Sequence, residues 1–156
     1  MKTFEGAFAP PAKPVALVAS RFNSLVVDRL VEGARDALQR HGVKDDDIVL
    51  VKVPGAWEIG PVARRLVDAN KYSAVIALGC VIRGDTPHFE QVVNGTTRAL
   101  GQLGYEANIP VVFAVLTTED LEQAEQRSGG KAGNKGFEAA VSAIEMADLY
   151  RKLESA

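Results

Sequence analysis

Four short stretches of this chain gather residue types that can do chemistry. Ser20-Arg21-Phe22-Asn23 follows one apolar run, and Pro54-Gly55-Ala56-Trp57-Glu58 follows a second. Val81-Ile82-Arg83-Gly84-Asp85-Thr86-Pro87-His88 closes a third, and Phe113 with Thr117-Thr118 belongs to a fourth. The single tryptophan and one of the two histidines fall in these stretches. Phe22 can stack on a planar ligand or staple the helix that follows. Trp57 beside Glu58 offers apolar area and a carboxylate that accepts hydroxyl protons. The same pair also suits an interface tryptophan and a helix-start glutamate favoured by the dipole. Around Gly84, backbone N–H groups and the Thr86 hydroxyl at a helix start can hold a phosphate. His88 can then move protons near neutral pH. Those residues read equally as a helix cap, with Asp85 or Thr86 capping and Pro87 in the first turn.

Other residues divide more simply. His41 before Gly42 suits a helix C-terminus, and Cys80 at the end of an apolar run suits packing. Arg127–Gly136 holds four glycines and three cations, Arg127, Lys131 and Lys135. It reads as an anion site or as a solvated connector. It is not a P-loop, and G-x-G-x-x-G is also missing, so a Rossmann-type cofactor has no support.

The elements that must position these residues follow from periodicity. Pro14–Ala19, Ile48–Val53, Ala74–Cys80 and Ile109–Leu116 are apolar runs. The first, third and fourth lack polar alternation, as strands buried on both faces do. Helical spacing recurs over Val27–Leu38, Ile59–Val67, Phe89–Leu103 and from Phe137 towards Leu153, with a short helix expected at Asp120–Gln126. Alternating strands and helices predict an α/β fold, a three-layer sandwich around a four-stranded parallel sheet. Such a small sheet has open edges. Thr3–Phe8 alternates weakly and could add a strand, in its own sheet or in a neighbour's. In an open parallel sheet ligands bind beyond the carboxyl ends of the strands, where the four stretches fall.

Composition bounds the rest. The chain has 156 residues, 47% hydrophobic and 24% charged, which predicts one domain spanning 1–156. A net charge of −2 provides no footprint for nucleic acid or an anionic membrane. No apolar stretch reaches transmembrane length, and Met1–Pro14 lacks a signal-peptide core, so a cytoplasmic protein is expected. One cysteine forbids an internal disulfide, and with only two histidines beside it a zinc site is not expected.

Taken together, Ser20–Asn23, Val53–Ile59, Gly79–Phe89 and Lys131–Gly136 resemble the 6,7-dimethyl-8-ribityllumazine synthase family, in order and at similar spacing over nearly the whole chain. The resemblance implies a flavodoxin-like strand order. It implies condensation of 5-amino-6-ribitylaminouracil with 3,4-dihydroxy-2-butanone 4-phosphate, the penultimate step of riboflavin biosynthesis, with no metal or organic cofactor. Phe22 would stack on the pyrimidine. Ala56, Trp57 and Glu58 would line the ribityl chain, and backbone groups of Cys80, Val81 and Ile82 would read the ring edge. Asp85, through its backbone, and Thr86 would hold the phosphate, and His88 would transfer protons. Phe113 and Arg127 match positions supplied by an adjacent subunit, Arg127 pairing the phosphate, and Lys135 matches a lysine near the substrate.

The resemblance further implies a homopentamer, with the N-terminal segment adding a strand to a neighbouring subunit. Relatives with a short glycine-rich connector like Gly129–Gly136 build twelve pentamers into an icosahedral shell. Riboflavin synthase is the candidate partner inside. Two departures stand out. Where many relatives place proline two residues after the glutamate, Pro61 lies three after Glu58, which bears on the start of the second helix. Asp85 stands where a small or neutral residue is common. A non-catalytic flavin- or lumazine-binding module would keep Phe22 and Trp57 but need neither His88 nor Arg127. A pure shell protein would need none of the ring, ribityl and phosphate residues.

Overall fold

All residues from 1 to 156 are described in the structure, a computed structural model. Four parallel strands, β1 (Val15–Ser20), β2 (Ile48–Val53), β3 (Ala74–Ile82) and β4 (Val111–Thr118), form one sheet in the order β2-β1-β3-β4. Helices α1 (Ser24–Arg40) and α5 (Lys135–Glu154) cover one face, and α2 (Ile59–Asp68) and α3 (His88–Glu106) cover the other. This is the expected three-layer arrangement, with β1 and β3 central and β2 and β4 at the edges.

The unbroken apolar runs of β1 and β3 follow from that position. Successive side chains alternate between faces, and here both faces are dry. Val15, Leu17 and Ala19 of β1 pack towards α1 and α5 with Ile76 and Leu78 of β3. Ala16 and Val18 pack the other way with Val75, Ala77, Ile59, Ala63, Leu100 and Leu103. β2 has a neighbour on one side only, and Leu50 stays 42% exposed.

Helix ends obey local chemistry. α1 stops at His41, whose ring Nδ1 lies 2.7 Å from the Ala37 carbonyl, and Gly42 follows at φ 86°. Asp120 caps α4 (Leu121–Arg127) by accepting from the Gln123 N–H at 2.8 Å. Pro61 falls in the first turn of α2, where no intrahelical acceptor awaits its missing N–H, so its displaced position leaves the helix intact.

Three expectations need correction. Neither Asp85 nor Thr86 caps α3; Pro87 takes the cap position and no side chain bonds the helix start. Arg127–Gly136 is not a loose connector. It folds into a small antiparallel hairpin, β5 (Ser128–Gly130) with β6 (Gly133–Asn134), because Asn134 ties it down. Asn134 Oδ1 accepts from the N–H groups of Gly136 and Phe137, while Nδ2 donates to the carbonyls of Arg29 and Ser128. Thr3–Phe8 is not a strand of its own chain's sheet. It runs along α5, where Ala7 N–H donates to Asp148 at 2.8 Å and Lys152 donates to the Glu5 carbonyl at 2.9 Å. No helix is long and apolar enough to cross a membrane.

Candidate active site

The strand order reverses between β1 and β3, and the crevice beyond their carboxyl ends is where such a sheet offers a ligand site. A cleft of about 690 Å³ opens there. Pairing of β1 with β3 ends at Ala19 and Leu78, whereas β3 runs on beside β4 to Ile82. The overhanging backbone of Cys80, Val81 and Ile82 forms part of the cleft wall. Asn23, in the left-handed region at φ 59°, turns the chain out of β1 and donates from Nδ2 to the Cys80 carbonyl at 2.8 Å. The Arg21 and Phe22 N–H groups donate to the Val53 and Pro54 carbonyls, tying the β1 and β2 ends together. Phe22 is left 72% exposed over the cleft.

The opposite wall is a single 3₁₀ turn, Ala56–Glu58. Glu58 Oε2 accepts from the Gly55 N–H at 2.9 Å, which fixes the carboxylate and leaves Oε1 for a ligand hydroxyl. Trp57 is 57% exposed, with one part of its ring lying against Gly95 of α3. At the end of the cleft come Gly84, Thr86 and His88, the last being the first residue of α3. The N–H groups of Gly84, Asp85 and Thr86 find no acceptor in the chain, so the loop presents a set of donors to an anion. Asp85 is exposed and does not line the cleft. Cys80 turns its side chain into the core under α1 and α5, and burial pushes its thiol up to about 11. Its side chain packs in the core.

Phe113, Arg127 and Lys135 lie elsewhere. They line a separate groove of about 410 Å³ between the open β4 edge and α5, which shares no residue with the first. Arg127 Nη1 donates to the Gln123 carbonyl and Lys135 pairs with Glu138 at 2.6 Å. The first cleft contains no lysine or arginine, so a phosphate bound there would need its cation from outside.

A family model for 6,7-dimethyl-8-ribityllumazine synthase matches residues 12–151. The chain belongs to this family. The family is that of lumazine synthases, transferases of riboflavin biosynthesis. Three residues that shape this cleft, Asn23, Gly95 and Phe89, have no individual role in the sequence reading. Asn23 was legible as a residue type tolerant of the left-handed region. Gly95, inside a helix where glycine is disfavoured, signalled a close approach. Phe89, which closes the Gly79–Phe89 motif and starts a helical pattern, also lines the cleft. No three His, Cys, Asp or Glu side chains converge to hold a metal.

Proposed function

We propose that this chain condenses 5-amino-6-(D-ribitylamino)uracil with 3,4-dihydroxy-2-butanone 4-phosphate, releasing phosphate and water to give 6,7-dimethyl-8-ribityllumazine. The observation that carries this reading is the division of the site. One cleft has an aromatic shelf, a fixed carboxylate, unpaired N–H groups and a histidine but no cation, and a remote groove supplies the cations.

In this reading Phe22 stacks on the pyrimidine, whose polar edge meets the backbone of Cys80, Val81 and Ile82. Ala56 and Trp57 flank the ribityl chain, and Glu58 Oε1 accepts from its hydroxyls. The Asp85 and Thr86 N–H groups and the Thr86 hydroxyl take the phosphate. The amine attacks the ketone, and the carbinolamine loses water to an imine. Phosphate then leaves, the enol tautomerises to a ketone, and the second amine attacks that carbonyl, whose oxygen departs as a second water as the ring closes. Every step moves protons and none needs a hard electrophile, so alignment of two reactants supplies much of the rate. His88 at the head of α3 relays the protons, a role worth roughly 10²–10⁴-fold.

The remaining residues call for a neighbour. Phe113, Arg127 and Lys135 of one subunit complete the cleft of the next, with Arg127 forking onto the phosphate. A head-to-tail contact of this kind closes into a ring when the rotation permits, and we assign a pentamer of single-domain subunits spanning residues 1–156. Thr3–Phe8 then pairs with the neighbour's sheet, which has open edges. The Asn134-tied hairpin between α4 and α5 is compact enough for twelve pentamers to meet in an icosahedral shell, with riboflavin synthase as the enzyme it could enclose.

The test is to mix the protein with both substrates and follow lumazine absorbance and released phosphate together. Formation of both in step supports the reading, and neither product refutes it. Analytical ultracentrifugation at neutral pH separates a shell from a lone pentamer, and an active monomer would sink the shared site.

A further inference from the structure

We propose that Arg83 is the positioning residue of the Gly84–Pro87 loop, holding its unpaired N–H groups and His88 in register for the phosphate-bearing substrate. The proposal rests on the reading of this loop as a phosphate site. The loop has no internal anchor: neither Asp85 nor Thr86 makes a side-chain hydrogen bond, and none of the N–H groups of Gly84, Asp85 and Thr86 has a partner. Its shape must therefore be set at its ends. Arg83 supplies that constraint at the base.

The Arg83 backbone N–H donates to the Thr118 carbonyl at 2.9 Å, extending the β3–β4 pairing by one residue. Its side chain then spans the base of the loop. Nη1 meets Glu90 Oε1 at 2.5 Å in the first turn of α3, and Nε meets Glu119 Oε2 at 2.6 Å just beyond β4. The guanidinium plane lies over the Phe89 ring, 4.4 Å from its centroid. One side chain thus joins the end of β3, the end of β4 and the two residues that follow His88.

Each half-exposed ion pair taken singly contributes little to global stability; what the clamp adds is that its two arms and the Phe89 stack converge on the base of one loop. It also has an electrostatic consequence. Glu90, Glu119 and Asp85 are three carboxylates around a loop that must accept an anion. Arg83 offsets the first two, bonding Glu90 through Oε1, while Glu90 Oε2 is buried with no hydrogen-bond partner. The paired guanidinium holds the Glu90 carboxyl below its usual range. Lysine could supply the charge but not the two-armed planar contact.

Arg83→Met should raise KM for the butanone phosphate about tenfold while changing that for the pyrimidine less than about twofold, since the loop's alignment and the offset of Glu90 and Glu119 are both lost beside the phosphate only. kcat should fall severalfold because His88 shares the displaced turn. Glu119→Gln and Glu90→Gln each remove one arm together with one carboxylate that repels the anion, so each should raise KM for the butanone phosphate less than Arg83→Met does. Arg83→Lys should recover only part of the loss. Hydrogen–deuterium exchange of the bonded amides that flank the loop, Arg83 N–H to the Thr118 carbonyl and Glu90 N–H to the Pro87 carbonyl, should quicken in Arg83→Met, whether or not the enzyme turns over. Unchanged exchange and unchanged KM in a folded Arg83→Met protein would overturn the proposal. So would equal losses for both substrates, which would mark a merely structural residue. If the wild-type protein turned over neither substrate, the functional reading would fail, and the exchange rates would still decide the role of Arg83.

Discussion

Gly95 makes room for Trp57: a methyl group at position 95 would lie 2.1 Å from Cζ3 of the Trp57 ring. In an exposed helix, replacing glycine with alanine stabilises by about 1 kcal/mol. Here the ring must move, and it is the ring that flanks the proposed ribityl site. Gly95→Ala should therefore raise KM for the ribitylaminouracil several-fold and leave that for the butanone phosphate nearly unchanged. Steady-state kinetics with each substrate varied in turn, beside a melting curve, checks it. A normal pyrimidine KM would mean that Trp57 does not bind ribityl.

His88→Ala should lower kcat by roughly 10²-fold, the lower range for loss of a general acid–base, and leave pyrimidine binding intact. Residual turnover should persist, because alignment of the reactants survives the substitution. Single-turnover kinetics with saturating substrates reads the chemical step directly, and an unchanged rate removes His88 from the mechanism.

If Arg127 serves the cleft of an adjacent subunit, inactive variants should complement each other. Arg127→Ala and His88→Ala should each be weak alone. In co-expressed mixed rings, about a quarter of the interfaces pair an intact cleft with an intact groove. Activity recovered to about that fraction supports the shared site; no recovery places both residues in one subunit's site.

Asn134 uses all four of its hydrogen-bonding positions, two as the cap of α5 and two as the latch of the β5–β6 hairpin. Asn134→Ala should cost about 2 kcal/mol, the upper range for a lost cap. That lowers Tm by about 4–8 °C for a chain of this size. Calorimetry reads the shift, and sedimentation of the same sample tests whether the hairpin also governs assembly beyond the ring.

Asp148 anchors the N-terminal segment, and acid should release it. Lys152, Arg151 and the Ala7 N–H together hold its carboxyl far below the usual carboxylate range. A depressed folded pKa gives stability that is fully present above the unfolded value, near pH 4, and is lost as pH falls through it towards the folded value. Limited proteolysis with an acid-tolerant protease should thus cut the first ten or so residues increasingly below about pH 4. Asp148→Ala should show the same cutting at neutral pH.

The sequence determined the layers of this protein because its signals are local. The runs of Val15–Ala19 and Ala74–Cys80 suit strands covered on both faces, and helical spacing places α1, α2, α3 and α5 between and after them. Residue types at the strand ends named the cleft, since Phe22, Trp57, Glu58 and His88 have no reason to sit in core-facing positions. Tertiary structure decided the rest, because each remaining feature joins residues far apart in the chain. The Asn23 contact to Cys80, the fit of Trp57 on Gly95 and the latch from Asn134 to Arg29 leave no periodic trace. The lie of Thr3–Phe8 along α5 depends on Asp148, far along the chain. The placement of Phe113, Arg127 and Lys135 in a groove apart from His88 is likewise invisible in one dimension. It is set by β4 lying at the sheet edge, with Phe113 on it and the end of α4 and the start of α5 bringing Arg127 and Lys135 beside it, away from the cleft beyond β1 and β3.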